Sequence, residues 1–184
     1  MKIIKSIFLA SIAVLFVACH SDDYVNDGPT YEKIQLRLLG QGVSEGVPTT
    51  VKDPEDGTDL EVACFTMEMF DANTGELVGT LVDCELQTTE LDNGNILSRV
   101  LTTFNLDGRG SITAESQVLQ EPLNAEGLFS TKFDPEENNV VVTTGEFEGR
   151  EGKASLDGEV DLSGFFDQGV VGFNCVFTIE LDSY

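Results

Sequence analysis

The chain has no tryptophan, a single histidine, five prolines and only ten lysines and arginines in 184 residues. Each scarcity removes a class of function. One imidazole, that of His20, leaves no means to build a His-rich metal centre and argues against a Ser-His-Asp triad. Ten basic residues face 33 acidic ones, a net charge of −23, and the cations are nowhere clustered. Phosphate contacts need such clusters, so nucleic acid is not an expected partner. The chain also lacks any apolar run of the roughly 20 residues that a membrane-spanning helix requires. Disorder is equally disfavoured, because 41% of the residues are apolar, and the length suits one domain.

What the chain does have begins at its N-terminus. Residues 1–18 read MKIIKSIFLASIAVLFVA: two lysines, an apolar run, then a small residue. That is the layout of a secretory signal. Cys19 follows directly, and the segment resembles a bacterial lipoprotein signal, cleaved so that Cys19 carries the lipid; Phe16 departs from the aliphatic residue usual at its position. The next residues, His20-Ser21-Asp22-Asp23, resemble the acidic export signal of surface lipoproteins in the Bacteroidota. The expectation is an outer-membrane lipoprotein exposed at the cell surface and held to the membrane by its lipid, with 19–30 as an acidic tether and 31–184 as the folded domain. Acyl chains contribute about 0.8 kcal/mol per buried CH₂, so no transmembrane helix is needed. Losing 1–18 would remove Lys2 and Lys5 and no acid, leaving 8 basic against 33 acidic residues, a net charge of −25.

The remainder alternates apolar and polar residues with the period of a strand rather than a helix. Strands are expected over 31–40, 59–71, 76–88, 95–106, 110–120, 138–144, 151–162 and 169–181. The last is the clearest, with Val171, Phe173, Cys175, Phe177, Ile179 and Leu181 on one face. Ala72-Asn73-Thr74-Gly75 and Asp107-Gly108-Arg109 read as hairpin turns. Eight mostly sequential antiparallel strands suit an up-and-down barrel, which has no exposed edges; a β-sandwich is the competing architecture.

Three segments of the C-terminal half favour the barrel. Gly110-Ser111-Ile112-Thr113-Ala114-Glu115-Ser116-Gln117, the stretch 140–156 with Thr144, Gly145, Phe147, Gly149 and Gly152, and the closing Val176-Phe177-Thr178-Ile179-Glu180-Leu181 resemble, in order and spacing, strands of the allene oxide cyclase and dirigent families. Glu146 and Arg150-Glu151 depart from that pattern. The resemblance covers roughly 103–181 and implies an eight-stranded antiparallel barrel around an apolar cavity, commonly as a trimer and without a cofactor. Independently of any family, Gly145, Gly149 and Gly152 suit a tight reversal between strands, where positive φ or close packing is needed.

Apart from Cys19, the cysteines are Cys64, Cys84 and Cys175. If Ala72 pairs with Glu76 across the first hairpin, Cys64 falls opposite Cys84, where the two can either bridge or remain as core thiols. No zinc-type spacing is present, and no metal is expected. The same register aligns Val62 and Cys64 with Val82 and Cys84 on the face taken as the barrel interior. Ile34, Leu36, Phe173, Cys175 and Phe177 complete the expected cavity wall. Glu68 shares that parity, and Glu32 opens the strand of Ile34; either carboxylate could stand at the cavity mouth with a raised pKa and act as a general acid or base, or else be a solvated rim residue. Tyr31-Glu32-Lys33-Ile34 also resembles the start of allene oxide cyclases, which implies a catalytic role for Glu32.

The opposite parity carries Phe65, Met67 and Met69 beside Leu77 and Leu81, an apparent outer patch that a homotrimer, or a loop such as 41–58 or 121–137, would cover. Acidic turns such as 53–59 fall short of a calcium loop and read as solvated. Three functions follow: a surface barrel binding a small apolar ligand or a protein partner, a cofactor-free isomerase or cyclase, or a structural accessory of a surface complex. A hollow interior would favour the first two, and a filled one the third.

Overall fold

The computed structural model describes residues 31–44 and 48–183; the expected signal, Cys19 and the expected tether lie outside the described residues. The strands are β1 (Tyr31–Ser44), β2 (Thr49–Lys52), β3 (Asp59–Asp71), β4 (Leu77–Glu90), β5 (Ile96–Leu106), β6 (Gly110–Pro122), β7 (Leu128–Phe133), β8 (Val140–Thr143), β9 (Gly152–Asp161) and β10 (Val170–Asp182). Among the described residues, helix is limited to a 3-10 turn at Gly145–Phe147 and one α turn, α1 (Phe165–Gln168).

Every pairing is antiparallel, in the order β1-β10-β9-β7-β6-β5-β4-β3, and β1 also pairs with β3, so the sheet closes. The result is an eight-stranded antiparallel barrel in which β7 and β8 share one position in the wall. Both pair with β6, β7 opposite Leu119–Pro122 and β8 opposite Ile112–Ala114. Beside β8 the ladder to β9 is replaced by side chains. The Asn139 amide nitrogen donates to the carbonyls of Glu115 (3.0 Å) and Ala154 (3.1 Å), and its oxygen accepts from Ala154 N–H (2.8 Å). Asn138 accepts from Gly152 N–H in the same way. These contacts satisfy backbone groups that would otherwise be unpaired inside a wall.

Two strands were not visible as periodic segments: β2, a polar tetrapeptide, and β7, where Leu128-Phe129-Ser130-Thr131-Lys132-Phe133 is too short to show a clear alternation. In the β3–β4 hairpin, Gly75 closes a turn in which its N–H donates to Asp71 O, and Glu76 O accepts from Asp71 N–H. The pairing then shifts at Val78, so that Phe70 faces Leu77 while Met69 faces Gly79 and Cys64 faces Cys84.

The interior divides into two halves. Around the β3–β4 and β5–β6 turns, Leu36, Met69, Phe104, Leu106, Ile112, Val140, Phe147, Ala154, Ile179 and Leu181 pack into one buried cluster. Phe104 and Phe177 meet edge to face at 4.9 Å. The 3-10 turn plugs this end with Phe147. Gly145 enters the turn at φ 64°, and a β-carbon there would overlap the Arg109 carbonyl oxygen. Gly152 leaves it where β9 passes so close to Glu180 that a β-carbon has no room.

Candidate functional site

Toward the other end the barrel is hollow. A cavity of about 480 Å³ runs from Leu38, Leu81 and Phe177 to a mouth formed by the β6–β7 loop, the β9–β10 loop and the turn region between β4 and β5. That volume lies within the range of small-molecule sites, about 300–1,000 Å³. Its wall is largely apolar: Phe65 and Met67 from β3, Val100 from β5, Val118 from β6, Phe129 from β7, Leu156 and Val160 from β9, and Val171, Phe173, Cys175 and Phe177 from β10.

Two carboxylates interrupt that wall, Asp83 and Glu85, which alternation along β4 points inward beside Leu81. Thr102 of β5 donates to Asp83 Oδ1 at 2.5 Å. Ser98 of β5 (3.0 Å) and Thr88 (2.5 Å) both donate to Glu85 Oε1. Asp83 is enclosed by protein, and its accessible surface faces the lumen. Burial pushes its carboxyl up to about 6; the Thr102 hydroxyl pulls the other way, and the Glu85 charge adds to the rise. Cys175, bonded through its thiol to Glu159 O (3.2 Å), is raised by burial to about 12 and is an inert wall residue rather than a nucleophile.

The structure corrects the parity expected for the β3–β4 hairpin. Phe65, Met67 and Met69 are interior, the first two lining the cavity and Met69 lying in the packed half, so they form no outer patch for a trimer. Val62, Cys64, Val82 and Cys84 lie on the outside, in a separate cluster with Val51, Leu60, Leu86 and Leu101. The β2–β3 hairpin curls over that face: Asp53 in its turn forms a two-point ion pair with Arg99 of β5 (3.0 and 2.6 Å), and Arg99 also binds Glu115 at 2.5 Å. Of the expected covering loop, residues 49–58 do lie over an outer apolar face, though one of the opposite parity. Within it Cys64 and Cys84 are joined by a disulfide, with Cα atoms 4.1 Å apart.

Glu32 is not at the mouth. It sits at the packed end, where Arg109 (2.7 Å) and Arg150 bind it, and these two guanidiniums hold its carboxyl below the usual range. Arg150 also donates to the carbonyls of Asp182 and Leu181, and Arg109 binds Glu146 and covers the Phe147 ring at 4.8 Å. Glu32 thus ties the plug to the wall at the end away from the cavity. Glu68 is exposed on the outer face of β3 and has no access to the cavity. Of the other expected wall residues, Phe173, Cys175 and Phe177 line the cavity, whereas Leu36 and Ile34 belong to the packed half. Asp83 and Glu85 escaped notice because acids at alternate positions read as a solvent face. Their signal was the apolar 82, 84 and 86 on the other parity, which only an outer covering makes sense of.

Fold and site together define a closed β-barrel whose open half is an apolar chamber with a two-carboxylate wall. Among the described residues no group of His, Cys, Asp and Glu gathers in a way that would hold a metal. Compared with protein-family models, curated proteins and solved structures, the chain matches none.

Proposed function

We propose that this protein is a lipid-anchored, surface-exposed barrel that binds a small, predominantly apolar molecule in the hollow half of its interior. The observation that carries the reading is the chamber of about 480 Å³: a scaffold protein of this size gains stability by filling such a space, and here the barrel wall leaves it open. The anchor rests on the signal-like 1–18 followed by Cys19 and the acidic 20–23. Native mass spectrometry of the protein purified from its own envelope tests both parts. Binding predicts a small added mass that is lost on unfolding, and anchoring predicts a chain starting at residue 19 with acyl groups. An unmodified chain would sink the anchor, and failure to take up any apolar compound would sink the binding site.

A second reading, a cofactor-free isomerase or cyclase of the kind the allene oxide cyclase resemblance implies, draws support from Asp83. A carboxyl raised to about 6 inside an apolar chamber is suited to passing a proton near neutral pH. In that reading catalysis comes from Asp83 and from desolvation, and Asp83→Asn abolishes turnover while retaining binding.

A further inference from the structure

Resting on the reading of the chamber as a ligand site, we propose that its ligand is an apolar molecule bearing a cationic nitrogen, an amine whose ammonium sits between Asp83 and Glu85. The charge of the wall is one-sided. Asp83 and Glu85 within the chamber and Glu126 at its mouth are the charged lining residues; no lysine, arginine or histidine joins them. Both inner carboxylates belong to one strand and one face, two residues apart, which sets them roughly 7 Å from each other along β4. An ammonium between them would reach both.

The hydrogen bonds point the same way. The protein's hydroxyls are all spent on one oxygen of each group, Oδ1 of Asp83 and Oε1 of Glu85. Oδ2 and Oε2 receive no hydrogen bond from any described residue. Among the described residues no buried side-chain oxygen lacks a partner, so these two are not sealed in protein but open on the lumen. A ligand that excludes solvent there must supply their donor, and an N–H does so with charge as well as a hydrogen bond. Solvent in the empty chamber can serve these oxygens until an apolar ligand displaces it. From then on only the ligand's own head group can. A fatty acid or other anionic amphiphile would bring a third negative charge into a low-dielectric space already holding two. A neutral alcohol would supply one donor and no charge. The net charge of −23 adds a long-range field that concentrates cations, not anions, at the surface.

The test compares probes of one tail length and three head groups, decylamine, decanol and decanoate, by titration calorimetry on the purified protein at low ionic strength and neutral pH. Ethylamine, with the charge and no tail, reports non-specific attraction to the acidic surface. The expected order is decylamine tighter than decanol by about tenfold or more, decanoate weakest, and no saturable binding of ethylamine. In the double variant Asp83→Asn with Glu85→Gln, the ratio of amine to alcohol affinity falls toward one. The ranking on the unaltered protein decides the matter should that variant fold poorly. Decanol binding without an amine preference, decanoate binding as tightly as decylamine, or ethylamine binding as well as decylamine overturns the inference and leaves a chamber for another ligand. Failure of all three long-chain probes to bind overturns the inference together with the binding site beneath it.

Discussion

The two halves of the barrel are held in opposite ways. The packed half is stabilised from within: Phe104, Phe147, Ile179 and Leu181 fill it, and Glu32, Arg109 and Arg150 tie its plug down. The hollow half has little inside and is braced from without. There the β2–β3 hairpin lies over β4, the Cys64–Cys84 bond joins β3 to β4 at the level of the chamber, and Arg99 pins Asp53 and Glu115 across the outer face. A wall that must enclose empty space cannot draw its rigidity from a core, so the rigidity comes from an outer layer. Preorganised binding chambers need such support, because collapse onto the void would otherwise lower the free energy.

Truncation on the packed side gives the largest expected effect. Phe104→Ala should cost about 3–5 kcal/mol in denaturant melts, because a fully buried ring is removed from a filled interior. Phe104 tolerated at under about 1 kcal/mol would mean this half is no better packed than the other. Replacing Cys64 and Cys84 together by alanine should cost about 2–3 kcal/mol and loosen the chamber first, read as faster amide exchange along the outer half of β3 and β4.

Glu32→Gln should cost about 2 kcal/mol at neutral pH, since it leaves the buried Arg150 guanidinium without its carboxylate. The sign with pH is definite. A carboxyl held below its ordinary 4.5 stabilises the fold above that value, and the contribution is lost as pH falls through the lowered pKa. The variant should therefore converge on the parent in acid.

Asp83→Asn should act in the reverse sense. Its pKa is raised, from 3.8 to about 6, so the folded chain holds more protons than the unfolded chain between those values. Stability falls as pH rises through that window and is lowest above about 6. The full shift corresponds to about 3 kcal/mol, reduced to about 1–2 because the carboxylate faces a lumen that solvent enters. The asparagine variant should be more stable than the parent by that margin above pH 6 and equal to it below about 4; equal stability throughout would show that Asp83 carries no penalty. The smallest effect belongs to Phe173→Ala, under about 1 kcal/mol, because the ring borders space already empty; enlarged ligand tolerance is its expected signature.

Much of this architecture is legible in the chain. Alternation located most wall strands, with β10 the plainest. Cys64 does face Cys84, but Asp71 rather than Ala72 lies across from Glu76, and the bulge at Val78 restores the register that the simpler turn implied. Gly145 and Gly152 carried the reversal near the plug. The inside and outside of β3 and β4 were not legible, and the reason is physical. Both faces of that hairpin are buried, one by the barrel and one by the β2 hairpin, so valines and cysteines on one parity compete with phenylalanine and methionines on the other. Alternation reports burial against solvent, and where both sides are covered it has nothing to report. Asp83 and Glu85 deceived for a related reason, since the wall of this hollow half holds charge where pattern alone would place leucine.

The pairing of β1 with β10, from Tyr31 opposite Asp182 to Val43 opposite Val170, has a kinetic consequence. The first strand of the domain finds its main neighbour in the last one to leave the ribosome. Contacts of such long sequence separation make closure slow, and the ring cannot form on a nascent chain. Until β10 has been made the barrel is an open ribbon with two unpaired edges. Deleting β10 would leave β1 and β9 in that state permanently, and the truncated product should self-associate rather than stay a smaller version of the same barrel.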